Sequence, residues 1–185
     1  MVAPYDPRQQ NYNKFSNFDG ISYECIRYLM KNDEEIWKLL YYNDADCWNK
    51  TNLTESQKAG IIYDGTPDET SFRVFMDPGQ DNSWTIQACV LRVTPILATP
   101  DNYVFGTMCV GFEVYSHYKI NHTSAYKTRL DMITQRIIEV FNGAEIPNLG
   151  RLFFDRKASP YCKILTIGSI PYKGRAIYLC TQSLG

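Results

Sequence analysis

The segment 124–142 (SAYKTRLDMITQRIIEVFN) constrains this chain more than any other. Its apolar residues Tyr126, Leu130, Ile133, Ile137 and Phe141 recur at steps of four, three, four and four, which places them on one face of an α-helix. Thr123 or Ser124 can cap the start, and Asn142-Gly143 supplies the stop. At 1.5 Å per residue the helix is predicted to run about 27 Å, enough to cross a sheet of about five strands. Such a helix needs an apolar surface to cover.

The flanking sequence supplies that surface by changing period from helical to two. Residues 71–76 (SFRVFM) set Phe72, Val74 and Met76 on one face, and Asp77-Pro78-Gly79 reads as a turn. Residues 84–94 place Trp84, Ile86, Ala88 and Val90 together, and Pro100-Asp101-Asn102 is the next turn. In residues 103–116, Val104, Met108, Val110, Phe112 and Val114 share the apolar face, with Thr107, Gly111 and Glu113 opposite. Three strands joined by short turns predict an antiparallel meander with one buried face. Beyond the long helix, 151–154, 161–169 and 174–182 return to strand character, separated by the loop 155–160 and a turn at Pro171-Tyr172-Lys173-Gly174.

Upstream of the strands the period is helical again. Residues 20–31 gather Ile21, Cys25, Tyr28 and Leu29 on one face. Asn32 or Asp33 can cap a second helix, 33–42, with Asn32 and Glu35 at capping-box spacing and an apolar face of Ile36, Trp37, Leu40 and Tyr41. Thr54 with Gln57 is a further capping signal, for a single turn ending at Gly60. The predicted fold is α+β: a mainly antiparallel twisted sheet, with the N-terminal helices and one long helix packed on one face.

Residues 1–18 fit no period. They hold almost no aliphatic side chain, but carry Tyr5, Tyr12, Phe15 and Phe18 at irregular spacing. The expectation is an extended N-terminal arm, 1–18, ahead of a single domain, 19–185. Extended, the arm reaches up to about 60 Å, well beyond a domain radius of gyration of about 16 Å. Its four aromatics are candidate subunit-interface residues, because ordering a chain costs about 1 kcal/mol or more per residue and buried aromatic contacts can offset that.

Composition narrows the class. The chain has 185 residues, of which 44% are hydrophobic and 21% charged, ordinary for a globular protein and incompatible with wholesale disorder. A net charge of −1 gives no general basic surface for nucleic acid. No run of about 18 apolar residues predicts a membrane span, and the first residues lack an apolar signal core, so cytosolic synthesis is expected. The 14 Tyr, 9 Phe and 3 Trp point instead to extensive packing against other proteins. The six cysteines, Cys25, Cys47, Cys89, Cys109, Cys162 and Cys180, follow no framework spacing and are expected to be free, structural thiols.

Chemistry-bearing patterns are sparse. His117 and His122 have no flanking Cys, Asp or Glu at metal-ligand spacing, so no metal site is expected. There is no phosphate loop, no dinucleotide fingerprint and no nucleophile elbow. Asp44 and Asp46, or Glu34 and Glu35, read as a solvated loop and a helix N-terminus rather than a cation site. Arg151, Arg156 and Lys157 bracket a loop that reads as a solvated hairpin tip. No catalytic residue, cofactor or metal is assigned.

One resemblance orders these observations. ISYECIRYLMKNDEEIWKLLYYNDADCW, then LTESQKAGIIY, then RVFMDP resembles the opening of bacteriophage neck and tail-terminator-type proteins. FEVYSH, RLDMITQRIIEVFNG and the Ile146–Gly150 bridge into RLFFD are similar to their second half. The resemblance covers roughly 20–182 and is one of pattern and order. It implies a structural, non-enzymatic virion protein, assembled in the host bacterial cytoplasm. It implies a homo-oligomeric ring at the head–tail junction that contacts adjacent neck, portal or tail proteins. DNA would pass through without specific binding, and no membrane is involved. Two other classes compete: a small cytosolic enzyme with a site built from scattered residues, and a single-strand nucleic-acid module using exposed aromatics.

Overall fold

The computed structural model describes residues 20–67, 69–77, 86–100, 105–147, 149–155 and 162–184. In chain order the helices are α1 (Ile21–Asn32), α2 (Glu35–Tyr41), α3 (Glu55–Gly60) and α4 (Arg129–Phe141). The strands are β1 (Val74–Phe75), β2 (Cys89–Pro100), β3 (Phe105–His117), β4 (Glu145–Ile146), β5 (Gly150–Phe153), β6 (Lys163–Ile167) and β7 (Tyr172–Leu184). They form one sheet in the order β1-β2-β3-β7-β5-β4, with β6 also paired to β7. Every pairing is antiparallel except β1 with β2. This is the expected α+β fold, with α1, α2 and α4 packed on one face.

That face is dictated by strand alternation. Leu91 and Val93 of β2, Met108, Val110, Phe112 and Val114 of β3, and Ile177 and Leu179 of β7 all point into one core. The helices answer with Cys25, Ile26 and Leu29, with Ile36, Trp37 and Leu40, and with Ile133, Ile137 and Phe141. Phe141 packs on Phe112 with ring centroids 4.6 Å apart. A smaller cluster of Phe75, Ala88 and Val90, with Tyr63, Phe72 and Ile86, fills the β1 edge.

Polar anchors fix how the helices sit. Asp33, rather than Asn32, caps α2, accepting the Ile36 N–H at 2.7 Å; Asn32 instead donates to the Tyr28 carbonyl. The same buried Asp33 carboxylate takes the Arg136 guanidinium, tying the α1–α2 corner to α4. Lys58 of α3 is buried and donates to the Met30 carbonyl at 2.9 Å and to Glu34 at 2.6 Å. The Thr54–Gln57 capping box forms as its spacing requires.

Several expectations are corrected. The long helix begins at Arg129 under a Thr128 cap, not at residue 124, so it runs about 20 Å rather than 27 Å. Tyr126 lies outside it, with φ +59° and a fully exposed ring. The hydroxyl and N–H of Thr123 both bond the Lys127 carbonyl, closing a tight loop where helical period alone suggested a turn of helix. β1 pairs parallel to β2 rather than antiparallel, and residues 76–88 between them are enough for the longer connection that a parallel pair needs. Met76 is exposed rather than on a buried strand face, and Tyr41 of α2 is exposed while Leu39 is buried.

The cysteine expectation fails at one pair. Cys109 and Cys180 are direct cross-strand partners of β3 and β7, with Cα atoms 4.1 Å apart, and form a disulfide. They lie 71 residues apart, so only strand register brings them together. Cys25, Cys47, Cys89 and Cys162 are free and buried. Burial pushes the Cys25 and Cys47 thiols up, and the Cys89 thiol up to about 12, so these groups stay protonated and inert. Thiol counting on denatured, unreduced protein should therefore find four, rising to six after reduction. Six before reduction would show that the cross-strand pair stays open.

Candidate subunit interface

The sheet has a second face, opposite the helices, formed by the other half of each strand. β3 contributes Cys109, Gly111, Glu113 and Tyr115; β7 contributes Gly174, Ala176, Tyr178 and Cys180 in register with them. β6 adds Lys163, Leu165 and Ile167. β2 is interrupted by a bulge between Pro95 and Leu97, which turns Ile96 onto this face. Ile96 is 49% exposed and Leu165 is 40% exposed.

Two glycines let side chains lie flat here. A Cβ on Gly111 would stand 2.7 Å from Ile96 Cγ1, and one on Gly174 would stand 2.8 Å from both Ile167 Cγ1 and Tyr115 Cδ1. Without those Cβ atoms the apolar chains pave the sheet, and a pocket of about 170 Å³ opens among Ile96, Leu97, Cys109, Lys163, Leu165 and Tyr178. Cys109, one half of the Cys109–Cys180 disulfide, lines it, and Cys162 packs beside that pair. The Lys163 ammonium lies 5.7 Å from the Tyr178 ring centroid. Further along, the Tyr115 hydroxyl donates to Glu113 at 3.0 Å; burial, with the Glu113 charge, pushes that phenol up to about 12.

A second surface forms at the end of the domain where α4 starts. Its organiser is Arg129, wholly buried at the first position of α4. Its guanidinium donates to four backbone carbonyls: Ile120 at 3.0 Å, Leu39 and Tyr42 at 2.6 Å each, and Asp44 at 3.0 Å. The Leu39 and Tyr42 carbonyls belong to the C-terminal end of α2, where a cation is favoured. Loops 42–50 and 118–128 are thus knitted together, with Ser124 N–H on the Ala45 carbonyl at 2.8 Å and Trp48 Nε1 on Ser124 Oγ at 3.2 Å. This end displays Trp48, Tyr118, Tyr126 and Ile170, all exposed.

The residues singled out from sequence fall in three groups. Tyr5, Tyr12, Phe15 and Phe18, with the whole arm 1–18, lie outside the described residues, as do Arg156 and Lys157. His117 is tucked against Tyr118 and Tyr172, with ring centroids 4.8 Å and 5.3 Å away. Burial and nearby Lys119 lower its pKa. Asp44 and Asp46 share Lys50, at 3.4 Å and 3.5 Å. Among the described residues no three His, Cys, Asp or Glu side chains converge to hold a metal. No described helix is long and apolar enough to cross a membrane.

Neither surface was marked by sequence reading. The signal for the first was Pro95, which breaks the alternation of β2 and forces the bulge. The signal for the second was a lone arginine at the start of the amphipathic run, beside Tyr126.

A family model described as YomW matches residues 33–177, more than half of the chain, from the α1–α2 corner into β7. That stretch includes the Arg129 end, and the outer sheet face except Tyr178 and Cys180. No curated protein and no solved structure matches the chain.

Proposed function

We propose that this chain, which belongs to the YomW family and is on that ground phage-associated, is a structural component of the virion. It forms a ring at the head–tail junction, as a neck or tail-terminator-type protein, and leaves a channel for DNA. The observation that carries this reading is the outer sheet face, which no described helix covers and where Ile96, Leu97, Leu165 and Tyr178 surround an apolar pocket. Apolar and aromatic groups of that kind typify the core of protein–protein contacts. The net charge of −1 supports a wall along which DNA slides without being held. The chemistry needed is association rather than catalysis.

The test is a phage in which this chain is inactivated. Filled heads and tails should accumulate unjoined, and supplying the chain should restore joined particles. Joined, infectious particles at the normal frequency would contradict the assignment.

A further inference from the structure

We infer that Cys109, Cys180 and Cys162 form a thiol–disulfide exchange site on the outer sheet face, in which the Cys162 thiol displaces Cys109 from Cys180. The resting disulfide joins β3 to β7. Cys162, just ahead of β6, is a free, buried thiol packed in one cluster with both of its sulfurs' residues. The other free thiols, Cys25, Cys47 and Cys89, belong to the core beneath the helices. Exchange operates within a single copy of the chain and does not depend on the ring.

Strand register sets which sulfur is attacked. Leu97 of β2 lies opposite Cys109 of β3, Cys109 opposite Cys180 of β7, and Cys180 opposite Phe153 of β5. The Cys162 S–H donates to the Phe153 carbonyl at 3.2 Å. The nucleophile therefore stands on the Phe153 side of Cys180, away from Cys109. A thiolate attacks a disulfide in line, and the sulfur on the far side departs. From that position Cys180 is the sulfur attacked and Cys109 is the leaving group.

The step balances without an oxidant or reductant. Cys162 gives up its proton and bonds Cys180 as the Cys109–Cys180 bond breaks. The departing Cys109 thiolate takes up a proton, so one disulfide and four thiols remain. Cys109 departs into the wall of the outer pocket, which Lys163 also lines, and a nearby cation favours a thiolate leaving group. Two things change. The crosslink moves from the β3–β7 pair to the start of β6, and the pocket gains a free thiol at Cys109.

The experiment is to hold the full, unreduced chain at mildly alkaline pH until exchange has settled. Iodoacetamide is then added to the native protein, and its peptides are mapped without reduction. Wild type should show alkylated Cys109 together with a Cys162–Cys180 linked peptide. In Cys162→Ser, which keeps a donor for the Phe153 carbonyl, both should be lost and the Cys109–Cys180 link should persist. An unchanged melting temperature shows that this variant folds, and Cys162→Ala serves in its place should it not. Alkylation of Cys162 with the Cys109–Cys180 link wholly intact in wild type overturns the exchange. So does equal alkylation of Cys109 in wild type and Cys162→Ser, or the absence of any linked peptide.

Discussion

Arg129→Ala is expected to destabilise the protein by about 4 kcal/mol, close to the whole stability of a marginal domain. Among the described residues the guanidinium pairs with four carbonyls and no carboxylate, and truncation leaves those acceptors facing each other without a donor. An unsatisfied buried acceptor costs about 1–3 kcal/mol, and some of the four will recover water. Arg129→Lys should rescue only part of the loss. An ammonium is a point donor, whereas these carbonyls approach from α2, the 42–44 turn and the 120–121 loop at once. Urea unfolding of the three proteins checks this. An alanine variant within about 0.5 kcal/mol of wild type would mean that the knot of loops holds without its centre.

Ile133→Ala and Ile137→Ala should each cost about 2–5 kcal/mol. Both side chains are fully buried in the middle of α4, facing the sheet. Gln135→Ala, on the exposed side, removes only a bond to Glu139 and should cost under about 0.5 kcal/mol. Equal costs in the two classes, measured by urea unfolding, would place the helix in a different register against β3 and β7.

These two predictions differ in how far the residues were legible from sequence. Ile133 and Ile137 were readable because burial follows local periodicity, and periodicity lies within a few residues. The same holds for the apolar face of β3 and for the Thr54 capping box. Arg129 was not readable, because its role depends on carbonyls about 85–90 residues away. The Cys109–Cys180 pair was hidden for the same reason: each cysteine sits on the second face of its strand, and only register makes them neighbours. Tyr126 was misplaced on the helix because its spacing to Leu130 is helical, while the hydrogen bonds of Thr123 and Thr128 decide where the helix begins. The outer pocket depends on a bulge and on two missing Cβ atoms, which alternate-residue patterns do not encode.

The proposed role requires the chain to close into a ring whose bore passes DNA. Native mass spectrometry of the full chain over a range of concentrations, with the absorbance ratio recorded for bound nucleic acid, addresses that directly. One closed species is expected, at a single integer multiple of 21.4 kDa, larger than a dimer and free of nucleic acid. A mass of 21.4 kDa at every concentration, or a species carrying stoichiometric nucleic acid, would contradict it.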